Sequence, residues 1–470
     1  MSAKNSNLIF FTEKYAAAGS FGGGSLRPLL RRGFGFYLPL AIAVWFGFDA
    51  ATAVAQRAGA VVSTVPAETI YPPVDSPFPN IARLGHIPDW SVLESYQKTI
   101  TREEFTYLLN HCYARKVSDY TGLIEIQHDR VLILKQSNYP RAGWFVLQFK
   151  PGLFRPPGGP RYWRPALEQD DLPENSTKPL AGIRIVLDPG HIGGIWHTWD
   201  DRNFKIGRDA MAVQEGRMTL KVARILERDL TILGAEVYLT RSELEPVTPL
   251  RVTDFQGEAR SYLVRKHKVP SSGLIASTAK KMFAISSEIR TRAELVNDSM
   301  RPDLALCLHF NASPWSNPRR PSFKSANHLH VMINGCYSHY EISEDDTRLE
   351  MLLRILRRTY YEELKLADVL ADTMADETGL PAFHYNGISG KSVDDNEYVW
   401  ARNLLANRIF SCPVIYFEPY CMNQRDVYAR IQAGEYEGFR KFNGVYRKNI
   451  YQEYADGVTS GLVRYYRRER

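Results

Sequence analysis

Three short, mostly apolar runs in the second half of this 470-residue chain restrict its fold more than any other feature. They cover residues 182–187, 303–308 and 413–417, and their length and composition are typical of buried strands. Apolar residues recur near the helical period over 218–233, and 236–240 form another strand-type run. Strand, helix and strand in this order predict a parallel βαβ unit. We therefore expect an α/β fold with a mostly parallel twisted sheet flanked by helices.

Each of the three runs ends in a side chain that can bind a metal or carry a proton. Pro189 and Gly190 force a turn after the first run, which places His191 at the carboxyl end of the strand. The second run ends in His309 and the third in Glu418. Ligands of open α/β sheets bind at this edge, so we expect the three side chains to meet there. Burial of the Glu418 carboxylate without water or a cation beside it would be energetically costly.

Glu215 is a fourth candidate, because it stands at the start of the helix predicted after the first strand. The helix is expected to end at Gly234, and its start lies at the same edge of the sheet as His191. A glutamate in this position could also serve only to complement the helix dipole. Two histidines and two glutamates delivered to one edge nevertheless favour a common site over four separate packing roles.

These blocks resemble, in their order along the chain, the zinc-dependent N-acetylmuramoyl-L-alanine amidases of the amidase 3 type. The resemblance covers about residues 182–470. The residues that carry it are 186–191, Glu215, 237–241, 292–297, 308–312, 413–418 and Asn423. The resemblance implies that His191, Glu215 and His309 bind one zinc ion and that Glu418 is the catalytic carboxylate.

The same resemblance implies an amidase 3-like catalytic domain that hydrolyses the amide bond between N-acetylmuramic acid and L-alanine in peptidoglycan. Zinc would polarise the amide carbonyl and lower the pKa of water to about 7, while Glu418 would move the proton. Asp188 and Asn311 would orient His191 and the substrate, although turn capping explains Asp188 equally well. Two alternatives stay open: a zinc amidohydrolase or peptidase acting on another cell-wall amide, and a non-catalytic peptidoglycan-binding protein on the same fold.

Several features depart from the family pattern. Residues 192–201 are longer and more aromatic than the usual glycine-rich stretch after the first histidine, and Gly216 stands where a lysine is frequent. Insertions are expected near 242–287 and 341–365, and the second carries a charged helix at 344–364. That helix either gates the cleft or docks a regulator, or it is a solvated helix with internal charge pairs. No role is assigned to the remaining candidate ligands, which are His197, His328, His330 and His384.

Residues 1–55 have the order of a signal peptide. Three arginines between residues 27 and 32 precede a mostly apolar run at 34–48, and small residues follow at 53–55. The alternative is an uncleaved membrane anchor on the same side of the membrane. Both interpretations predict an exported protein of the periplasm or cell envelope.

The residues after the leader predict a modular chain. Proline, alanine and valine at 56–88 predict a linker, and a small α+β domain of unknown role is expected at 89–150. The helix of this domain is expected to begin after Thr101. Repeated prolines and glycines at 151–180 predict a semi-rigid connector, so the catalytic domain would cover 181–470.

The formal net charge of +7 favours approach to an anionic polymer or surface, and the cell wall is one such polymer. The sequence contains neither a zinc-finger spacing nor a helix-turn-helix pattern, so we predict no nucleic-acid partner. A membrane would be contacted only through an uncleaved leader. The expected partners are therefore peptidoglycan and, where the hydrolase needs one, a protein activator.

The five cysteines of the chain show no pairing pattern. An odd number leaves at least one thiol without a disulfide partner in the same chain. Cys412 and Cys421 flank the third apolar run, and they either form a disulfide or remain ordinary buried thiols.

Overall fold

The computed structural model of this chain describes the residues from 78 onward, with short gaps. The described ranges are 78–152, 158–171, 173, 176–200, 202–317, 320–385 and 389–470. The predicted leader at 1–55, the first part of the linker at 56–77 and residues 153–157 of the connector lie outside them. Within the described part of the chain, no helix is both long and apolar enough to span a membrane.

The region predicted as a small domain forms a helix and a three-stranded antiparallel sheet. Its elements are α1 (Arg102–Leu108), β1 (Ile124–Ile126), β2 (Arg130–Leu134) and β3 (Trp144–Gln148), with strand order β1-β2-β3. The hydroxyl of Thr101 caps α1 by accepting a hydrogen bond from the backbone N–H of Glu104 at 3.2 Å. The buried side chains of this region belong to the same hydrophobic cluster as those of the main sheet.

The remaining strands form the central sheet and two small pairs. They are β4 (Arg184–Pro189), β5 (Asn203–Phe204), β6 (Val213–Gln214), β7 (Glu236–Leu239), β8 (Leu304–Leu308), β9 (Leu329–Ile333), β10 (Lys391–Ser392), β11 (Val399–Ala401), β12 (Val414–Pro419), β13 (Arg440–Phe442) and β14 (Val445–Arg447). The order in the central sheet is β10-β11-β9-β12-β8-β4-β7. Neighbours from β7 to β12 are parallel, whereas β9 is antiparallel to β12 and β10 to β11. The mostly parallel sheet predicted from the apolar runs is confirmed.

Helices flank this sheet, as the α/β prediction requires. They are α2 (Glu215–Ile232), α3 (Gln256–Arg265), α4 (Ser272–Lys281), α5 (Glu288–Glu294), α6 (His339–Ser343), α7 (Asp345–Arg357), α8 (Thr359–Thr378), α9 (Leu405–Ile409), α10 (Arg425–Ala433) and α11 (Ile450–Glu469). Strands β8 and β9 are buried at every position, because helices cover both faces of the sheet. Helix α2 begins at Glu215, as predicted, and Gly234 follows its end with a φ of +99°.

The insertion predicted at 242–287 packs on the loop that follows the first candidate histidine. It contains α3, α4 and a π-helical turn. Ile192 of the loop belongs to the same hydrophobic cluster as Phe283 of the insertion. The backbone N–H of Gly193 donates to the carbonyl of Leu244 at 2.9 Å. The insertion therefore packs against this loop and supports its conformation.

The charged segment expected as one helix at 344–364 consists of α7 and the start of α8, with Arg358 between them at a φ of +59°. Arg348 of α7 is fully buried. Its Nη2 donates to Oδ1 of Asp345 at 2.7 Å and to the carbonyl of Leu134 in β2 at 2.7 Å. The solvated-helix interpretation is wrong, because these charges are paired inside the core. A helix whose Arg348 is fixed to β2 inside the core also argues against the gating interpretation.

All five cysteines lie among the described residues, and no disulfide joins any two of them. Cys412 and Cys421 are both buried. Of the two possibilities for this pair, the structure therefore has ordinary buried thiols.

Candidate metal centre

A sharp turn at the end of β4 places His191. The residue has a φ of +62°, in the left-handed region. Its carbonyl accepts hydrogen bonds from Nε of Arg241 at 2.9 Å and from Nη2 of Arg292 at 3.0 Å. A Cβ at the preceding Gly190 would lie 2.1 Å from Cε1 of His309, so only glycine lets the turn approach that ring. The turn chemistry noted in the sequence therefore brings two histidines together.

Glu215 is the first residue of α2 and lies between these histidines, with 2% of its surface exposed. Its Oε2 is 3.3 Å from Nε2 of His191, and its Oε1 is 3.2 Å from Nδ1 of His309. The backbone N–H of Phe310 donates to the same Oε1 at 3.1 Å. One carboxylate thus bridges the two imidazoles.

The departure at Gly216 follows from this packing. A Cβ at residue 216 would lie 2.2 Å from the carbonyl oxygen of Ile192. The loop after His191 crosses the start of α2 so closely that a lysine does not fit in this arrangement. The first turn of α2 is therefore fitted to the chain's own loop.

His191, Glu215 and His309 each offer one ligand atom, and these atoms all lie within 4.8 Å of one another. In the part of the chain that the structure describes, no other group of three or more His, Cys, Asp or Glu side chains is arranged in this way. Two imidazoles and one carboxylate can hold a metal ion and leave a coordination position open. The chemistry of the donors therefore fits a metal centre.

The electrostatics of the cluster also favour a cation. Burial alone would lower the pKa of His191, but the charge of Glu215 and the hydrogen bond to Asp200 raise it to about 9. Burial would raise the pKa of Glu215, yet the two histidines hold it well below its usual value. Burial is the main cause of the lowered pKa of His309. A bound metal would replace the proton that His191 carries against this negative charge.

Asp200 supports His191 from behind, a contact that we did not predict from the sequence. Its Oδ2 is 3.2 Å from Nδ1 of His191 and accepts the backbone N–H of Ile192 at 3.1 Å. Its Oδ1 accepts the backbone N–H of Arg202 at 3.1 Å. A carboxylate behind a ligating histidine fixes both the tautomer and the ring orientation. The only signal in the sequence was an acidic residue in the aromatic loop after His191.

Asp188 lies at the end of β4 and reaches His191 indirectly. Its Oδ1 accepts hydrogen bonds from the hydroxyl of Thr240 at 2.5 Å and from Nη1 of Arg292 at 3.0 Å. Arg292 also pairs with Glu288 at 2.6 Å and donates to the carbonyl of His191. Asp188 therefore acts on the backbone of His191 through Arg292. Asp200, in contrast, contacts the ring of His191 directly.

Glu418 lies on β12, which pairs with β8, and His309 directly follows β8. The backbone N–H of His309 donates to the carbonyl of Phe417 at 3.1 Å, so residues 309 and 418 are neighbours across the two strands. Oε2 of Glu418 is 3.3 Å from Nε2 of His330. Burial acts to raise the pKa of Glu418, but the hydrogen bond and charge of His330, with His309 and Arg402, hold it below its usual value. The structure brings all four main candidates to one edge.

Asn311 lies on the Glu418 side of this edge. Its Nδ2 is 3.1 Å from Nε2 of His328 and 3.1 Å from Nε2 of His330. No role was assigned to these two histidines from the sequence. His330 lies in β9 and His328 directly precedes it. The antiparallel pairing of β9 with β12 places them beside Glu418, and this pairing was not predicted.

The aromatic loop residues Trp196 and Trp199 pack against the insertion. The ring centroid of each lies 6.2 Å from that of Phe283. The guanidinium of Arg251 lies 5.3 Å from the ring centroid of Trp196. Local packing therefore accounts for much of the aromatic character of the loop that carries Asp200.

No protein-family model matches this chain, and no curated protein matches it. Among solved structures, the N-acetylmuramyl-L-alanine amidase Ami1 from Mycobacterium smegmatis is 16% identical, with 61% of this chain and 98% of that chain covered and a TM-score of 0.34. Ami1 from Mycobacterium abscessus is 18% identical, with 61% and 99% covered and a TM-score of 0.34. The CwlD amidase from Clostridioides difficile, in complex with the GerS lipoprotein, is 12% identical, with 60% and 98% covered and a TM-score of 0.33. These matching structures are amidases, the class of protein that the sequence blocks led us to expect. Because their TM-scores are low, the argument for function depends on the residues of the site.

Proposed function

We propose that this chain is a zinc-dependent amidase that hydrolyses the bond between N-acetylmuramic acid and L-alanine in peptidoglycan. The observation that carries this proposal is the convergence of His191, Glu215 and His309 within 4.8 Å, beside the strand that bears Glu418. These residues come from separate strand and helix ends, in the order in which the sequence blocks resemble the amidase 3 family. Packing alone does not require two imidazoles and two carboxylates at one edge.

The residues divide the chemistry between them. His191, Glu215 and His309 would hold the zinc, which when bound supplies a Lewis acid for the amide carbonyl and lowers the pKa of water to about 7. Glu418 is held ionised by the charges around it, so it can accept a proton from the attacking water. It then returns that proton to the leaving amine of L-alanine. The bond cleaved is C–N, and the products are a muramic carboxylate and a free amino group.

We further propose that the enzyme acts outside the cytoplasm. The leader-type sequence at 1–55 supports export to the periplasm or cell envelope, and the net charge of +7 supports approach to an anionic wall. A protein activator is compatible with this function. Peptidoglycan is the proposed substrate in either case.

Digestion of purified peptidoglycan, with products identified by mass, tests the function. The protein with zinc should release intact stem peptides with a free L-alanine amino group. The Glu418→Gln variant should lose at least about a hundredfold in rate, and chelation should abolish release until zinc is restored. Glu397→Gln is the matched control, because Glu397 is an exposed carboxylate at 61% side-chain exposure.

The products also separate the alternatives. Cleavage within the stem peptide would instead identify a peptidase or amidohydrolase acting on another amide. Binding of peptidoglycan without any product, by a folded protein that contains zinc, would identify a non-catalytic binding protein. Either result would contradict the proposed reaction.

A further inference from the structure

The candidate base belongs to a row of four polar side chains in contact, which are His328, Asn311, His330 and Glu418. Asn311 lies between His328 and His330, with its Nδ2 at 3.1 Å from Nε2 of each ring. His330 continues the row to Oε2 of Glu418 at 3.3 Å. His330 and Glu418 face each other across the antiparallel pair of β9 and β12. His330 is 2% exposed, so these contacts are shielded from water.

The amide of Asn311 has a fixed orientation. Its Oδ1 accepts the backbone N–H of Ala312 at 2.7 Å, so its Nδ2 must face the two histidine rings. An amide nitrogen only donates. The ring nitrogen of His328 that faces Asn311 therefore has to accept.

Two neighbours compete for Nε2 of His330, because Asn311 can only donate to it and an ionised Glu418 can only accept from it. The other ring nitrogen, Nδ1, is buried and has no hydrogen-bond partner among the described residues. A proton on Nδ1 would leave a buried donor unsatisfied, which costs about 1–3 kcal/mol. A hydrogen bond to a carboxylate is also stronger than one between neutral groups. The proton of His330 therefore belongs on Nε2, from which it is donated to Glu418.

His328 takes the opposite tautomer. Burial, followed by the charge of His330, lowers the pKa of His328 to about 4, so the ring is neutral at pH 7. Its Nε2 accepts from Asn311, so its proton is on Nδ1. The sulfur of Cys421 lies 3.7 Å from Nδ1 and 3.6 Å from Nε2, so the tautomer follows from the contact with Asn311 and not from this sulfur. Two histidines that flank one amide thus carry their protons on different nitrogens.

We propose that His330 is the positioning residue for Glu418, and that the hydrogen bond from its Nε2 to Oε2 fixes the carboxylate for proton transfer. The catalytic part of this inference rests on the proposed function, whereas the hydrogen bond itself does not. With Oε2 held, Oε1 is the oxygen that accepts the proton of water as the new C–O bond forms. The same proton leaves Oε1 for the nitrogen as the C–N bond breaks. His330 keeps its own proton on Nε2 throughout.

A pair of substitutions tests the position of the donor. The side-chain amide nitrogen of glutamine occupies the place of a histidine Nε2, and that of asparagine the place of Nδ1. His330→Asn should therefore lower kcat by about 10- to 100-fold with little change in KM, because Glu418 loses its anchor but the substrate site is intact. His330→Gln should restore kcat to within about fivefold of the wild-type value. Zinc content and Tm are measured for every variant.

The matched control is another His–Glu pair in a different setting. Nε2 of His384 lies 3.5 Å from Oε2 of Glu397, and both side chains are exposed, at 62% and 61%. His384→Asn should leave kcat and KM unchanged. A wild-type kcat in His330→Asn, or an equal loss in His330→Gln and His330→Asn with zinc retained, would overturn the proposal.

A second measurement uses the wild-type protein and does not depend on enzymatic activity. In the wild-type protein labelled with ¹⁵N-histidine, the ring nitrogen shifts report which nitrogen carries the proton. The proposal requires the Nε2–H tautomer at His330 and the Nδ1–H tautomer at His328. A proton on Nδ1 of His330 with none on Nε2 would refute it, because the hydrogen bond to Glu418 needs the proton on Nε2. If the protein fails to cut peptidoglycan but shows these tautomers, the reaction is wrong while the His330–Glu418 hydrogen bond stands.

Discussion

Asp200 and Glu215 contact opposite nitrogens of one imidazole, at 3.2 and 3.3 Å from Nδ1 and Nε2 of His191. Two acceptors on one ring leave it little freedom to rotate. Asp200 is itself held by the backbone N–H groups of Ile192 and Arg202. The ring of His191 is therefore oriented by a loop, and the loop is supported by the insertion that packs behind it.

Asp200→Asn should weaken zinc binding about 10- to 100-fold, because the neutral amide orients the His191 ring less strongly and lowers its basicity as a ligand. Competition with a chelator of known affinity measures this loss directly. Asp209→Asn is the control, since Asp209 is an exposed residue that follows the same loop. Equal zinc affinities in the two variants would show that Asp200 does not support the metal centre.

The residues that sequence analysis identified are those whose place follows from strand ends. His191, His309 and Glu418 each follow an apolar run, and the edge of a parallel sheet brings such ends together. Asp200 and His330 were missed for a physical reason. Their contacts depend on the path of a loop and on the register of β9 against β12, and neither is encoded by a local pattern.

The helix α7 shows how a pattern of charges can mislead at the scale of an element. Acidic residues at its start and arginines near its end are typical of a solvated helix. In the structure, Arg354 is fully buried and donates through Nη1 to the carbonyls of Phe410 and Cys412 at 2.6 and 2.7 Å. Its Nη2 pairs with Glu363 of α8. Apolar periodicity predicted the sheet and α2 correctly, but it carries no information on which charges are paired inside a core.

Arg354→Met should destabilise the protein by about 3–5 kcal/mol, because the Glu363 carboxylate is left buried without its partner. The urea midpoint of unfolding measures the loss. Replacing both residues, as Arg354→Met with Glu363→Leu, should recover much of it. The control is Arg224→Met, since Arg224 and Glu243 form an exposed pair at 3.6 Å. A shift of the same size in the control would contradict this assignment of the energy to burial.

Asp368 makes the stability of α8 depend on pH. Burial, followed by the charges of Asp394 and Asp372, raises its pKa to about 7. The carboxyl is protonated in the folded chain below pH 7, whereas in the unfolded chain its pKa is about 3.9. Its contribution to stability is therefore present below pH 4 and is lost as the pH rises to 7.

Asp368→Asn should consequently be more stable than the wild type at pH 8, by about 1–2 kcal/mol, and equally stable at pH 4. Urea midpoints at the two pH values provide the measurement. Asp376→Asn, at an exposed position on the same helix, serves as the control. A constant difference between Asp368→Asn and the wild type across this range would mean that Asp368 does not titrate as argued.

At the scale of the whole molecule, the three-stranded sheet and the central sheet share one core. The backbone N–H groups of Cys336 and Tyr337 donate to the carbonyls of Cys112 and Tyr113 at 2.8 and 2.6 Å. Glu104 of α1 pairs with Arg358 at 2.7 Å, and both side chains are nearly buried. The sequence predicted an α+β region here. It did not indicate that this region contacts residues more than two hundred positions away in the chain. Its independence as a domain stays a prediction, and the shared core argues that it unfolds together with the metal centre.

Leu108→Ala tests this coupling, because Leu108 is fully buried in α1, the helix whose Glu104 pairs with Arg358. The truncation should cost about 2–5 kcal/mol. If the core is shared, the urea concentration at which zinc is released should fall by the same amount as the midpoint of tryptophan fluorescence. Val117→Ala, at a residue that is 57% exposed, should move neither midpoint. Unchanged zinc release in Leu108→Ala would instead show that residues 89–150 unfold as a separate domain and leave the metal centre intact.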